Sequence, residues 1–353
     1  MPKPFVSVLI DTYNHERFIE QAIVSVLEQD FPASEREIIV VDDGSADGTP
    51  EIVRKFEPHV RLLCKANGGQ ASAFNAGIPE CKGEVVAFLD GDDWWNQTKL
   101  SAVSRELHAD CDVGAVGHGL YEVNDKGEQP ILNIPNRTYR NLLRSQADAV
   151  ELTELLSFLG TSRLTVRKAT LNKILPVPDT LLADLFLAAM ATAVSGALVV
   201  EQPLTNYRLH AANIYQFSEF DKSRMRRKLE GLRSFGRELP PRLRQWGVPQ
   251  VVVDVLMYPS WLDAERLRLA LGDGWPWDTL KIEREAHRHA YRGATFGYHV
   301  FHAAVLAAAA VLPPAAFYRL RSWYAAKGLA RARKAVGSAE PVPSLVVRKA
   351  PGA

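Results

Sequence analysis

The sequence predicts an α/β fold on a doubly wound, mainly parallel sheet, and three observations carry that expectation. Strand-like apolar runs alternate with segments of helical periodicity from Val6 to Leu89. The runs are apolar throughout rather than alternating, as expected of strands covered on both faces. Each run also ends in a polar, acidic or glycine-rich cluster, which is where open α/β sheets bind their ligands.

Val6-Ser7-Val8-Leu9-Ile10 is a first buried strand, ending at Asp11-Thr12-Tyr13-Asn14. Phe18, Ile19, Ala22, Ile23, Val26 and Leu27 then recur at three- and four-residue spacing, the apolar stripe of a helix that Phe31-Pro32 stops. Glu37 to Val41 is a second strand, ending at Asp42-Asp43-Gly44-Ser45. Thr49 and Pro50 supply an N-cap and first-turn proline for a helix through Phe56. Val60 to Cys64 is a third strand, ending at Lys65-Ala66-Asn67-Gly68-Gly69, and Ala71 to Ile78 a short helix. The fourth strand, Val85 to Leu89, runs straight into Asp90-Gly91-Asp92-Asp93-Trp94-Trp95. Right-handed crossovers put all four clusters on one rim of the sheet.

Whole-chain properties narrow the class. With 353 residues, 47% of them hydrophobic and 24% charged, the chain has material for about two globular domains. A formal net charge of +1 gives no argument for a nucleic-acid partner. Cys64, Cys81 and Cys111 are widely spaced, which argues against a disulfide framework or structural zinc. Met1-Pro2-Lys3-Pro4 leads directly into the first strand, so a cytoplasmic protein without a signal peptide is expected.

Polar groups converging on one rim suit a nucleotide: carboxylates for base and ribose, backbone N–H groups for phosphate, and a metal. Asp90 and Asp92 are close enough in sequence to share a hard cation, although a simple Asp-rich turn has the same residues. Competing motifs fail. The turn after the first strand has no glycine, which excludes a dinucleotide fingerprint. Asp43 to Gly48 begins like a calcium loop, but the twelfth position is Arg54 rather than a bidentate glutamate. A nucleotidyltransferase would need a glycine- and Lys/Arg-rich loop after the first strand, and none is present.

Val6–Asn14, Ile38–Thr49, Asn67–Ile78 and Val85–Trp95 resemble, in order, the successive signatures of the family 2 glycosyltransferases. The resemblance covers about the first 215 residues. It implies a GT-A, Rossmann-like fold with a mixed sheet flanked by helices, a nucleotide-diphosphate sugar donor (a UDP-sugar favoured) and inversion at the anomeric carbon. It further implies Mn²⁺ or Mg²⁺ held by Asp90, Asp92 and His210, the last from Tyr207-Arg208-Leu209-His210-Ala211-Ala212-Asn213 after a further strand. The donor site it implies comprises Asp11, Thr12, Tyr13, Asn14, Asp42, Asp43, Asn67, Gly68, Gly69, Asn75 and Asp90, with Asp93 supporting the loop.

Two departures stand out. Where relatives carry an acidic pair, the chain has Ala183-Asp184, which keeps the second acid, the implied catalytic base. Its apolar neighbours Leu182, Leu185 and Phe186 would raise its pKa, though an acid there also suits a helix dipole. Ala73-Phe74-Asn75 stands where many relatives carry arginine, leaving Lys65 or Arg163 as replacement phosphate contacts.

Beyond the signatures, Leu100–Leu107 reads as a helix, Val113–Tyr121 as a strand broken by glycines, and Asn124–Arg144 as a polar excursion beside the acceptor site. Leu152–Leu159 reads as a helix, and Leu164–Val166 and Ala197–Val200 as strands. The expected division is a catalytic domain at 1–216, a helical C-terminal extension at 217–336 and a disordered tail at 337–353. Trp246 to Leu271 reads as helices with proline breaks. Ala303–Ala316 is too short and alanine-rich for a ~20-residue span. The segment 300–334 lies within a stretch without Asp or Glu, carries aromatic and basic residues, and reads as a hairpin resting on anionic lipid at the cytosolic membrane face. Packing on the protein, or on a second subunit of a homo-oligomer, is the alternative. The expected acceptor is a glycan or lipid-linked hydroxyl; a non-catalytic binding protein on the same fold is the competing reading.

Overall fold

The computed structural model describes residues 5–124, 130–179, 182–210, 221–290 and 296–324. In chain order the first elements are β1 (Val6–Thr12), α1 (Ile19–Leu27), β2 (Arg36–Asp42), α2 (Thr49–Arg54), β3 (Arg61–Cys64), α3 (Gly69–Glu80) and β4 (Val85–Asp90). These strands pair in parallel in the order β3-β2-β1-β4. The apolar runs of β1, β2 and β4 therefore did mark strands covered on both faces, while the edge strand β3 is only half-buried. Val6, Val8 and Ile10 of β1 pack with Ile19, Ile23 and Val26 of α1 and with Val53 of α2 on one side. On the other, Phe74 of α3 meets Phe88 of β4 edge-on at 5.1 Å.

The start of α2 differs from expectation. Gly48 is its N-cap residue and Thr49 the first helical residue. Asp47 satisfies the helix start instead, accepting from the Thr49 N–H at 3.1 Å and the Thr49 hydroxyl at 2.6 Å. An aspartate reaches the orphan N–H groups as well as a threonine would.

The chain continues through β5 (Trp94–Trp95), α4 (Lys99–Ala109), β6 (Ala115–Asn124), β7 (Ile131–Asn133), β8 (Tyr139–Asn141), α5 (Gln146–Leu155), β9 (Thr165–Arg167), α6 (Lys168–Ile174), α7 (Ala183–Ser195) and β10 (Ala197–Leu209). The sheet extends past β4 as β9-β6-β10-β5, with β9 antiparallel to both neighbours. β10 runs parallel to β6 and antiparallel to β5. The sheet is thus mixed, with its parallel half carrying the four clusters.

Four expectations in this half need correction. β6 is unbroken, because its glycines admit neighbours rather than interrupt the strand: a Cβ at Gly117 would lie 2.5 Å from the Phe158 carbonyl oxygen. The polar excursion holds two three-residue strands, β7 on β6 and β8 on β10, too short to show a pattern; its residues 125–129 lie outside those described. The strand at 197 runs on to Leu209 through two register shifts around Pro203, so Tyr207 and Arg208 lie within it. Proline is tolerated in a strand at such irregularities. α5 starts earlier than expected, on a capping box of Ser145 and Asp148.

Further on lie α8 (Lys222–Gln245), α9 (Gln250–Ala270), α10 (Pro276–Ala290) and α11 (Phe296–Val311). Of the prolines between 246 and 271, Pro249 falls between α8 and α9 as expected, whereas Pro259 sits inside α9 without ending it; Pro240 and Pro241 likewise lie inside α8. The described residues form two compact units, those within 5–210 with 234–257, and those within 221–233 with 258–324. The second unit has its own core of Leu269, Ala270, Ile282, Ala309, Phe317 and Tyr318. Within it the buried Glu283 accepts from Arg266 at 3.0 Å, the Tyr318 hydroxyl at 3.0 Å and Arg321 at 2.5 Å. Among the described residues no helix is long and apolar enough to cross a membrane. The expected tail at 337–353 and the end of the hairpin, 325–334, lie outside the described residues.

The seat of α3 is tight: a Cβ on Gly77 would lie 2.5 Å from Leu9 Cδ1 and 2.7 Å from Val41 Cγ2. Overpacking of this kind costs about 1–3 kcal/mol, more than the ~0.5–1 kcal/mol that alanine gains over glycine in a helix. Gly77→Ala is therefore expected to lower the urea midpoint with an unchanged m-value.

Candidate active site

Strand register builds the rim. Asp11 at the end of β1 pairs with Asp90 at the end of β4, and Thr12 pairs with Asp42 of β2. After β4 the backbone turns sharply, with Gly91 N–H donating to Asp11 O at 2.9 Å and Asp93 N–H to Asp90 O at 3.1 Å. Only glycine fits at 91, since a Cβ would lie 2.7 Å from Thr12 Oγ1 and 2.9 Å from His15 Nδ1. The turn sends its two following carboxylates in different directions. Asp93 is buried and its Oδ1 accepts from the Arg208 N–H at 2.8 Å. Asp92 Oδ2 lies 2.9 Å from His210 Nε2 and 3.8 Å from His15 Nε2.

Arg208 holds this turn from behind. Its Nε donates to the Asp92 carbonyl at 2.8 Å and its Nη2 to Gln21 Oε1 at 2.5 Å. The guanidinium lies between the rings of Trp94, at 4.5 Å, and Phe18, at 4.7 Å. Such stacking suits a planar guanidinium and not an ammonium. Ser162 closes the other side: its hydroxyl accepts from Asp90 N–H at 3.1 Å and donates to Asp90 Oδ2 at 3.3 Å. The Ser162 carbonyl is held by Trp95 Nε1–H and the Thr205 hydroxyl, each at 2.8 Å.

The electrostatics follow from crowding. Oxygens of Asp90, Asp92 and Asp93 lie within 4.8 Å of one another. Burial pushes the Asp11 carboxyl up to about 8; Gln70 opposes that shift, while Asp92 and Asp184 add to it. Asp90 is pushed well up by burial and then by Asp11, Asp92 and Asp93. Asp93 rises to about 7, again mainly through burial. Asp92 moves the other way: burial pushes it up, but the His210 hydrogen bond and the nearby charges of His15 and His210 outweigh that. The Gln70 amide N–H₂ bridges Asp11 at 3.2 Å, Asp90 at 2.9 Å and Thr161 at 3.1 Å. Asp184, at the first turn of α7, is raised by burial, against the Leu185 N–H at 2.8 Å and the charge of Arg163.

This cage fits a divalent cation. Among the described residues Asp11 Oδ1 and Asp93 Oδ2 are buried with no hydrogen-bond partner, and crowded carboxylates beside an imidazole form a donor set for a hard or borderline dication.

The remaining rim residues are engaged with each other. Asp43 accepts from Lys65 Nζ at 2.5 Å, Gly68 N–H at 3.1 Å and Gly69 N–H at 2.6 Å. Asn67 donates to the Asp43 carbonyl at 3.0 Å. The glycine N–H groups thus face Asp43, and Lys65 is committed to the same carboxylate. Asp42 accepts from Ser45 N–H at 3.1 Å, and Asn14, at φ 57°, accepts from Ala46 N–H at 2.8 Å. Tyr13 is exposed. Asn75 makes a two-bond clamp on the Val177 backbone, 2.8 Å each way. Arg163 lies 5.4 Å from the Tyr207 ring centroid. The pattern of strand ends does not reveal Gln70, Thr161, Ser162 or the packing of Arg208. Thr161-Ser162-Arg163 shows only as a polar break between apolar runs, and Gln70 gives no sequence signal.

A family model described as glycosyl transferase family 2 matches residues 7–172, which contain the whole of this rim except His210, Arg208 and Asp184. Residues 7–172 form a domain of that family. An uncharacterized glycosyltransferase of Nostoc sp. is 31% identical over 217 residues, covering 59% of this chain and 66% of the relative. The Staphylococcus aureus protein TarS, a poly(ribitol-phosphate) beta-N-acetylglucosaminyltransferase, is 32% identical over 187 residues, 47% of this chain and 32% of TarS. The chain thus spans just under two thirds of the first relative and about a third of the second. The crystal structure of S. aureus TarS 1–349 with UDP-GlcNAc superposes with a TM-score of 0.53 over 92% of each chain at 18% identity. That likeness concerns the fold, and the mixed sheet flanked by helices is the expected GT-A arrangement.

The Gln70 bridge separates Asp11 from Asp90. Gln70→Leu removes its donors, and leaving buried acceptors unmet costs about 1–3 kcal/mol. The variant is expected to unfold at lower urea in chelated buffer, with part of the loss recovered in millimolar Mn²⁺.

Proposed function

We propose that the chain is a metal-dependent, inverting glycosyltransferase that moves a sugar from a nucleotide-diphosphate donor, a UDP-sugar favoured, to a hydroxyl of a glycan or lipid-linked acceptor in envelope polysaccharide synthesis. The observation that carries this reading is a convergence. Asp184, from a helix ninety-four positions beyond Asp90, is close enough to raise the pKa of both Asp11 and Asp90. A general base near a cation clasp is what displacement at an anomeric carbon requires. The family, and the name of the TarS relative, support sugar transfer to a wall polymer.

Asp90, Asp92 and His210 would hold Mn²⁺ or Mg²⁺, with Asp93 fixing the turn against Arg208. A bound cation supplies Lewis-acid stabilisation of the diphosphate leaving group. Asp184 would accept the proton of the acceptor hydroxyl at one carboxylate oxygen as that hydroxyl attacks the donor sugar. Burial favours this, because a raised pKa makes the carboxylate a stronger base. Asp11, Thr12, Tyr13, Asn14, Asp42, Asp43 and the Asn67-Gly68-Gly69 turn would receive base, ribose and phosphate. Because Gly68 and Gly69 donate to Asp43, donor entry would exchange those bonds for new ones. Asn75 would act through the 177 loop it clamps.

We assign residues 1–216 to catalysis and 217–336 to a helical extension that rests on anionic lipid through 300–334. Leu320, Trp323 and Tyr324 are more than half exposed on the helix at 314–324, as an interfacial surface requires.

Three measurements test these readings. A panel of nucleotide-sugars is expected to show Mn²⁺-stimulated turnover with one UDP-sugar. Asp184→Asn should lower kcat by about 10²-fold or more with donor affinity, read by calorimetry, little changed. A variant with normal kcat removes the base. Flotation with anionic vesicles should carry the protein upward, and less so after Trp323→Ala and Leu320→Ala; protein remaining wholly at the bottom excludes the lipid contact.

A further inference from the structure

His15, on the rim, has no part in the reading above. It sits in the loop after β1, and that loop is firmly pinned to the loop after β2. His15 N–H donates to Thr49 Oγ1 at 2.9 Å, and Asn14 N–H donates to Ser45 Oγ at 2.8 Å. The imidazole Nδ1 lies 3.2 Å from Thr12 Oγ1, and Nε2 lies 3.8 Å from Asp92 Oδ2, the oxygen that also meets His210 Nε2. Gly91 leaves room for this ring, since a Cβ there would reach 2.9 Å from its Nδ1.

The two imidazoles stand differently to Asp92. His210, at 2.9 Å, is at hydrogen-bond distance; His15, at 3.8 Å, is beyond it. With ligand bonds of about 2.1 Å, two donors of one ion lie ~3.0 Å apart at right angles and ~4.2 Å apart across it. The His15 separation falls inside that range. If Nδ1–H donates to the Thr12 hydroxyl, the Nε2 lone pair is free on the carboxylate side, the arrangement in which an outer partner fixes a ligating tautomer.

We propose that His15 is a further ligand of the divalent cation held by Asp90, Asp92 and His210, and that the two imidazoles make the clasp select a transition-metal dication over Mg²⁺. The inference rests on the metal reading above. Imidazole nitrogen suits borderline transition ions, whereas Mg²⁺ keeps oxygen ligands and dehydrates reluctantly.

Calorimetric titration of the full chain with MnCl₂ and with MgCl₂ tests it, alongside His15→Gln and His15→Asn. The wild type is expected to prefer Mn²⁺, and both variants to lose about tenfold or more in Mn²⁺ affinity with Mg²⁺ affinity changed less than about twofold. Electron spin-echo spectra of bound Mn²⁺ should show coupling to two imidazole nitrogens in the wild type and one in the variants. Thermal unfolding in chelated buffer separates lost ligation from lost fold; an Mn²⁺ defect confined to a variant that unfolds early overturns the proposal. Equal Mn²⁺ affinity in wild type and variants overturns the His15 assignment alone. A wild type that binds neither cation removes the clasp, and this assignment with it.

Discussion

Carboxyl groups held close together in a place with little water dominate this structure. Parallel pairing of β1 with β4 sets Asp11 beside Asp90, and the turn after β4 adds Asp92 and Asp93. Repulsion among them would open the rim unless each were restrained. The restraints come from every side: Gln70 from α3, Ser162 from the turn before β9, Arg208 and His210 from the end of β10. The second half of the sheet can be read as the frame that brings these restraints to the first half.

Arg208 shows how one residue links several layers. Its two aromatic neighbours come from the start of α1 and from β5, and its hydrogen bonds reach α1 and the acidic turn. It reaches that position because β10 shifts register around Pro203 before its last residues. A regular strand would deliver different side chains to Asp92 and Asp93. The irregularity thus has a geometric purpose, as bulges near functional sites commonly do.

The parallel half was legible because strands covered on both faces leave apolar runs, and their polar ends leave clusters. Asp92 and His210, 118 positions apart, meet because one follows β4 and the other follows β10, and Asp184 stands at the start of α7. What the pattern could not reveal was pairing across distance. Gln70 is a single polar residue in a short helix, and nothing near it encodes two carboxylate partners. β7 and β8 are three-residue strands without alternation, and the glycines of β6 mimic a break while serving close packing. Asn75 and Asp43 were readable as polar groups near the rim, but not as clamps on Val177 and on the Gly68-Gly69 turn.

Gly91 carries a consequence for how this site can change over generations. The volume that a side chain would need there is already filled by Thr12 and His15. A larger residue at 91 is therefore acceptable only in company with smaller ones at 12 or 15, and a smaller residue at 15 leaves a gap that glycine does not fill. The three positions behave as one heritable unit. Substitutions that look harmless singly would be disfavoured in most backgrounds and accepted in a few, so this corner of the site should move in paired steps or not at all.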